Sequence, residues 1–181
     1  MYSTLRKIIL WTILAAIVVA IVLKIRKNKM ENSEQELAYT GGNRPQDLPD
    51  ETPVQPVTGR ISGKFGESRP GHIHSGVDVA VVKGTPVQSP WNGKVTKKWN
   101  DITYGGGLSL LIKHDNGYTS GYCHLSSYPA NIAVGTRVYR GDVVAYSGAT
   151  GWSCHGAHLH FSLRNPNDVK VNPEDYGFDF K

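Results

Sequence analysis

Hydrophobic and polar positions along the 181-residue chain fall into three regimes. Residues 8–23 form an unbroken apolar run with no charge, in which Thr12 is the one polar side chain. Residues 31–56 show no apolar period. From residue 57 onward, short runs rich in Val, Ile, Leu and Tyr (77–82, 108–113 and 143–147) are separated by turn signals such as Asp115-Asn116-Gly117 and Arg140-Gly141-Asp142. Short branched and aromatic runs between Gly, Pro, Asn and Asp turns read as strands, and no long amphipathic helix competes with them. About 125 residues are enough for one hydrophobic core. The pattern predicts an all-β domain, a two-sheet antiparallel sandwich with an open groove, preceded by one N-terminal transmembrane helix.

Charge sharpens this division into residues 1–30, 31–56 and 57–181. The first segment carries six basic and no acidic side chains, the second six acidic residues against Arg44 alone, and the third a net charge of +4. The 16 apolar residues span roughly 24 Å as a helix, short of the usual ~20-residue crossing. Arg6, Lys7 and Lys24 can snorkel to the headgroups and extend that reach. No small-x-small cleavage site follows the run, so we expect an uncleaved single-pass anchor that meets the bilayer through residues 5–25, rather than a signal peptide. Basic residues beyond the run outnumber those before it, a small bias towards a cytoplasmic carboxyl side. The acidic second segment, with Pro45, Pro49, Pro53 and Pro56, reads as an extended linker. No aromatic-basic stripe or nucleic-acid motif occurs, so the positive charge does not imply a nucleic-acid partner.

The chemistry lies in the third segment. In a strand, residues i and i+2 share a face, so His158 and His160 point one way and Leu159 the other. Read as a strand, residues 74–80 likewise place His74, Gly76, Asp78 and Ala80 on one face, with Ser75, Val77 and Val79 opposite. Two histidines and a carboxylate can then converge, with further histidines, His124 among them, left for proton transfer. Such a set suits one zinc ion with water in an open fourth position. His72, His114 and His155 are expected to be bystanders. Cys123 and Cys154, the only cysteines, flank these segments. A disulfide between them is one reading and two small buried thiols the other.

The surrounding residues supply a reaction. Gly63-Lys64-Phe65-Gly66, the stretch from His74 to Ala80, Gly84-Thr85-Pro86-Val87, Tyr104-Gly105-Gly106-Gly107, Tyr122-Cys123-His124-Leu125, Arg140-Gly141-Asp142 and His158-Leu159-His160-Phe161 occur in family order. Across about 100 residues the chain resembles the lysostaphin-type, LytM-like zinc endopeptidases that cut peptide cross-links in bacterial peptidoglycan. The resemblance implies that His74, Asp78 and His160 hold one zinc ion, and that His124 and His158 handle protons and stabilise charge at the attacked carbonyl. A His-Glu-x-x-His helix is absent, so a histidine takes the base's part. Arg69 lies one position later than the family's arginine, and the segment before His158 is one residue longer. These departures are expected to touch the cleft rim and substrate choice more than the metal.

The resemblance thus implies a membrane-anchored zinc metallo-endopeptidase facing the cell wall and acting on peptidoglycan stems or cross-bridges. Two alternatives are a non-catalytic activator of a cell-wall amidase and a wall-penetrating peptidase in the membrane of a phage particle. All five site positions keep their residue type, which favours an enzyme over the activator.

Overall fold

The computed structural model describes residues 18–24, 26–27, 52–101 and 105–181. The chain divides into two units, residues 1–44 and 45–181. In the first, residues 18–24 and 26–27 are helical, and Val18, Val19, Ile21, Val22 and Leu23 are exposed. Among the described residues no helix is long and apolar enough to cross a membrane. The expected anchor falls mostly on residues 1–17 and the expected linker mostly on 28–51, and both stretches lie outside the described residues.

The second unit contains strands β1 (Arg60–Gly63), β2 (Ser68–Arg69), β3 (His72–Ile73), β4 (Val77–Ala80), β5 (Pro86–Gln88), β6 (Gly93–Asp101), β7 (Gly107–His114), β8 (Thr119–Leu125), β9 (Arg137–Val138), β10 (Val143–Tyr146), β11 (His158–Arg164) and β12 (Lys170–Val171). A 3₁₀ turn, Pro173–Tyr176, follows. Eight strands form one antiparallel sheet in the order β1-β4-β11-β8-β7-β6-β9, with β12 also on β11. The remaining strands pair as two small ribbons, β5 with β10 and β2 with β3.

The all-β antiparallel expectation holds, but two comparable sheets do not form. Against the large sheet, the second layer is the short β5–β10 ribbon together with loop and C-terminal residues. Val87, Val144 and Ala145 of the ribbon join Trp91, Ile132, Phe178 and Phe180 in one core with Val77, Val79, Leu159 and Phe161. Turn residues such as Gly84 and Asp142 interrupt the ribbon's flanks, so its strands stop at three or four residues.

Strand β11 is the pivot of the fold. Leu159, Phe161 and Leu163 are wholly buried, while His158, His160 and Ser162 between them are half-buried. Burying each of the three apolar side chains contributes about 1.5–3 kcal/mol. A slip of one residue would expose all three and drive histidines into the core. The hydrophobic face therefore fixes the register that carries the histidines, with His158 opposite Ala80 and His160 opposite both Asp78 and Cys123.

Candidate metal centre and catalytic groove

Asp78 on β4 and His160 on β11 are paired across the sheet, and their Oδ1 and Nδ1 atoms lie 2.8 Å apart. The third member, His74, belongs to no strand. Alternation along the sequence places it on β4, but β4 begins at Val77, and His74 sits in the preceding loop. Backbone hydrogen bonds from His74 N to Glu67 O (2.8 Å) and from Gly66 N to His74 O (2.9 Å) hold it there. Its Nε2 lies 3.1 Å from Asp78 Oδ1 and 3.0 Å from His160 Nδ1.

These three atoms suit a metal ion. His74 Nδ1 donates to the Lys64 carbonyl at 2.7 Å, so its Nε2 carries a lone pair. That lone pair faces a carboxylate oxygen and a second imidazole nitrogen. Three electron-pair donors this close repel unless a cation sits among them. Bonds of ~2.0–2.1 Å in tetrahedral geometry space the donors by about 3.3 Å, near the separations seen. The carbonyl on the far nitrogen of His74 is also the arrangement that orients a ligating histidine. Among the described residues, His74, Asp78 and His160 are the group able to hold a metal.

Arg69 completes the support. Its Nη2 donates to Asp78 Oδ2 at 2.7 Å and to Glu67 Oε2 at 3.1 Å. Burial pushes the Asp78 carboxyl up, but the neighbouring His160 and His74 rings and the Arg69 guanidinium outweigh it and hold the group well below the usual carboxylate range. The shifted arginine lines the groove, as expected of the cleft rim, and also fixes the second oxygen of Asp78. Two glycines make room. A Cβ at Gly63 would lie 2.3 Å from Arg69 Nη2 and 2.6 Å from Asp78 Oδ2, and one at Gly76 would lie 2.8 Å from His160 Nε2 and 2.3 Å from Phe161 O. Nothing in the local pattern singles these glycines out.

His124 and His158 stand together beside the three, their ring centroids 4.6 Å apart. Each is oriented by a backbone carbonyl: His124 Nδ1 donates to Thr150 O at 2.9 Å, and His158 Nδ1 to Gly156 O at 2.8 Å. Both Nε2 atoms are thereby left as acceptors, and that of His158 lies 3.7 Å from Asp78 Oδ1. Burial pushes His124 down to about 4, so it is neutral at neutral pH. Its backbone is left-handed at φ 62, a conformation that costs a non-glycine residue about 1–3 kcal/mol. The chain holds it by His124 N donating to Gly106 O (2.9 Å) and by the Thr150 carbonyl on its ring. Thr150 is a hub that sequence reasoning missed: its hydroxyl also donates to Leu125 O (2.7 Å) and accepts from Leu108 N (2.9 Å).

All five residues line one groove of about 1060 Å³. His72 and His155 line it too, whereas His114 is buried elsewhere. Residues 102–104, next to Gly105 and Gly106 of the groove, lie outside the described residues. The longer segment before β11 leaves His158 and His160 in register with Ala80 and Asp78. Cys123 and Cys154 are free thiols, so the disulfide weighed from the sequence is not formed. Cys154 Sγ turns instead to the Gly156 carbonyl at 3.0 Å.

Comparison with known proteins gives this geometry a family. Lysostaphin from Staphylococcus staphylolyticus is 42% identical over 93 residues, which is 50% of this chain and 18% of lysostaphin. Across the curated relatives, the matches span about a fifth to a quarter of the relative's length. The solved catalytic domain of lysostaphin from Staphylococcus simulans superposes with a TM-score of 0.55 at 31% identity, covering 65% of this chain and 89% of that one. A zinc-containing peptidase from Vibrio cholerae superposes at 0.57 with 32% identity, covering 68% of this chain and 38% of that one. The model of peptidase family M23 matches residues 72–173, from β3 to the start of the 3₁₀ turn, and takes in every strand of the large sheet but β1. By that match and by its fold, the chain is a member of peptidase family M23.

Proposed function

We propose that this chain is a zinc metallo-endopeptidase that hydrolyses peptide cross-links of bacterial peptidoglycan. The observation that carries the reading is the pairing of a three-donor metal triangle with two histidines whose Nε2 lone pairs are freed by backbone carbonyls. Lysostaphin and its kin contribute the substrate class. His74, Asp78 and His160 hold the ion; bound zinc supplies a water of pKa ~7 and polarises the scissile carbonyl.

The remaining work falls to the histidine pair. Either Nε2 can accept the proton of the attacking water and return it to the leaving amine. Rings 4.6 Å apart accommodate one positive charge more readily than two. His124 and His158 therefore act as a pair that handles one proton at a time, taking it from the attacking water and passing it to the leaving amine. A complete ligand set with its supporting arginine fits an enzyme better than a non-catalytic activator. Residues 8–23 would tether the domain to a membrane, with the acidic linker giving it reach to the wall.

The test is to incubate the full chain with purified peptidoglycans of oligoglycine and of direct diaminopimelate cross-link type, with and without chelator, and to identify products by mass spectrometry. Chelator-sensitive peptide cleavage, restored by zinc and absent in His160→Ala, is expected. Cleavage that survives chelation would sink the mechanism, and a folded, zinc-loaded chain that cuts neither wall would sink the activity.

A further inference from the structure

The groove has a side that the catalytic residues do not use. In antiparallel pairing, residues directly opposite each other share a face of the sheet. Arg60 on β1 is opposite Ala80 on β4, and Ala80 is opposite His158 on β11. Arg60 therefore stands on the catalytic face, two strands away from His158, and all three residues line the groove. Two strand spacings put the Cα atoms of Arg60 and His158 about 10 Å apart, close to three residues of extended peptide.

Arg60 is exposed, and its guanidinium makes no hydrogen bond or ion pair with a described residue. Its counterpart Arg69 is already engaged by Asp78 and Glu67. Among the described residues, the only carboxylate lining the groove is that of Asp78, whose two oxygens are taken by His74, His160 and Arg69. A guanidinium presents a planar fork of donors that matches a carboxylate. An uncharged oligoglycine strand offers it only backbone carbonyls.

We infer that Arg60 forms a carboxylate subsite, so that the peptide taken by this groove carries a free carboxylate about three residues from the scissile bond, as an acidic wall stem does and a polyglycine bridge does not. The inference rests on the peptidase reading for its scissile bond, but the subsite itself is read by binding alone.

The experiment uses the full chain in non-ionic detergent, treated with chelator so that no turnover occurs. Fluorescent D-alanyl-diaminopimelate tetrapeptides, with one free carboxylate placed at each position in turn, are compared by anisotropy with their carboxamide twins and with C-terminally amidated pentaglycine. One acid peptide is expected to bind at least tenfold more tightly than its twin and than pentaglycine. Arg60→Gln should erase that preference and Arg60→Lys should keep part of it, with the thermal midpoint unchanged in both. Equal binding of all peptides, no detectable binding, or a preference that persists in Arg60→Gln would overturn the subsite. Cleavage of the same peptides by the zinc-loaded chain is scored separately. Its failure would count against the peptidase reading without altering what the binding curves say of Arg60.

Discussion

The histidine at the end of β7 and the histidines around the groove behave differently. At the end of β7, buried His114 packs edge-on against Trp91, and its Nε2 lies 2.7 Å from Ser120 Oγ, which is itself 2.9 Å from Tyr122 Oη. Its Nδ1 is 3.3 Å from the Asn92 carbonyl. Every polar atom in that chain has a partner of opposite role. In the groove, lone pairs face lone pairs. Burial pushes His114 and His124 down alike, each to about 4, so a displaced pKa does not separate a structural histidine from a working one. What separates them is whether every donor meets an acceptor without an added cation or substrate.

The largest test of this contrast is His160→Ala. Zinc content, read by metal analysis, should fall to background and cleavage with it, while the fold persists because Leu159 and Phe161 still anchor β11. Full zinc occupancy in that variant would break the comparison. His114 should give the opposite signature. Its folded pKa lies below its unfolded value of 6.5, so its contribution to stability is complete above pH 6.5 and is lost as pH falls towards about 4, the unfolded chain taking up the proton first. At about 1.4 kcal/mol per pH unit this amounts to about 3 kcal/mol. Denaturant melts between pH 7 and 4 should show that slope in the parent and a shallower one in His114→Asn, with zinc binding at pH 7 unaltered in both.

Arg69→Gln probes the support of a ligand rather than a ligand itself. Losing an outer partner of this kind typically costs 10–100-fold in metal affinity, and competition with a chromophoric chelator would measure it. An unchanged affinity would mean that Asp78 is held by the histidines alone. The smallest effect is expected from Thr150→Val, which removes the hydroxyl bonds to Leu108 and Leu125 but keeps the carbonyl on His124. Stability should fall by about 1 kcal/mol and turnover by a few-fold, with zinc content constant.

Much of this is legible in the sequence where periodicity governs. The alternation of His158, Leu159 and His160 specifies the strand, its buried face and the shared side of the two rings. The same rule fails at His74, because a loop fastened to residues 64–67 can bring a ligand to the site as well as a strand can. Arg69, Gly63 and Gly76 are illegible for a related reason. Their roles depend on distances between segments remote in sequence, and no local pattern encodes a guanidinium that needs the space of a missing Cβ. The left-handed backbone of His124 and the unequal sizes of the sheets likewise follow from packing, not from alternation.

The three proposed ligands also differ in how firmly they are mounted. Asp78 and His160 are carried by adjacent inner strands, whereas His74 is carried by a loop joined to residues 64–67 by a few backbone bonds. Inner-strand amides open only with global unfolding, while loops open at far lower cost. An ion held there would therefore have a hinged door: it would exchange through excursions of the His74 loop while Asp78 and His160 stand ready, and the emptied groove would keep the shape needed to recapture it.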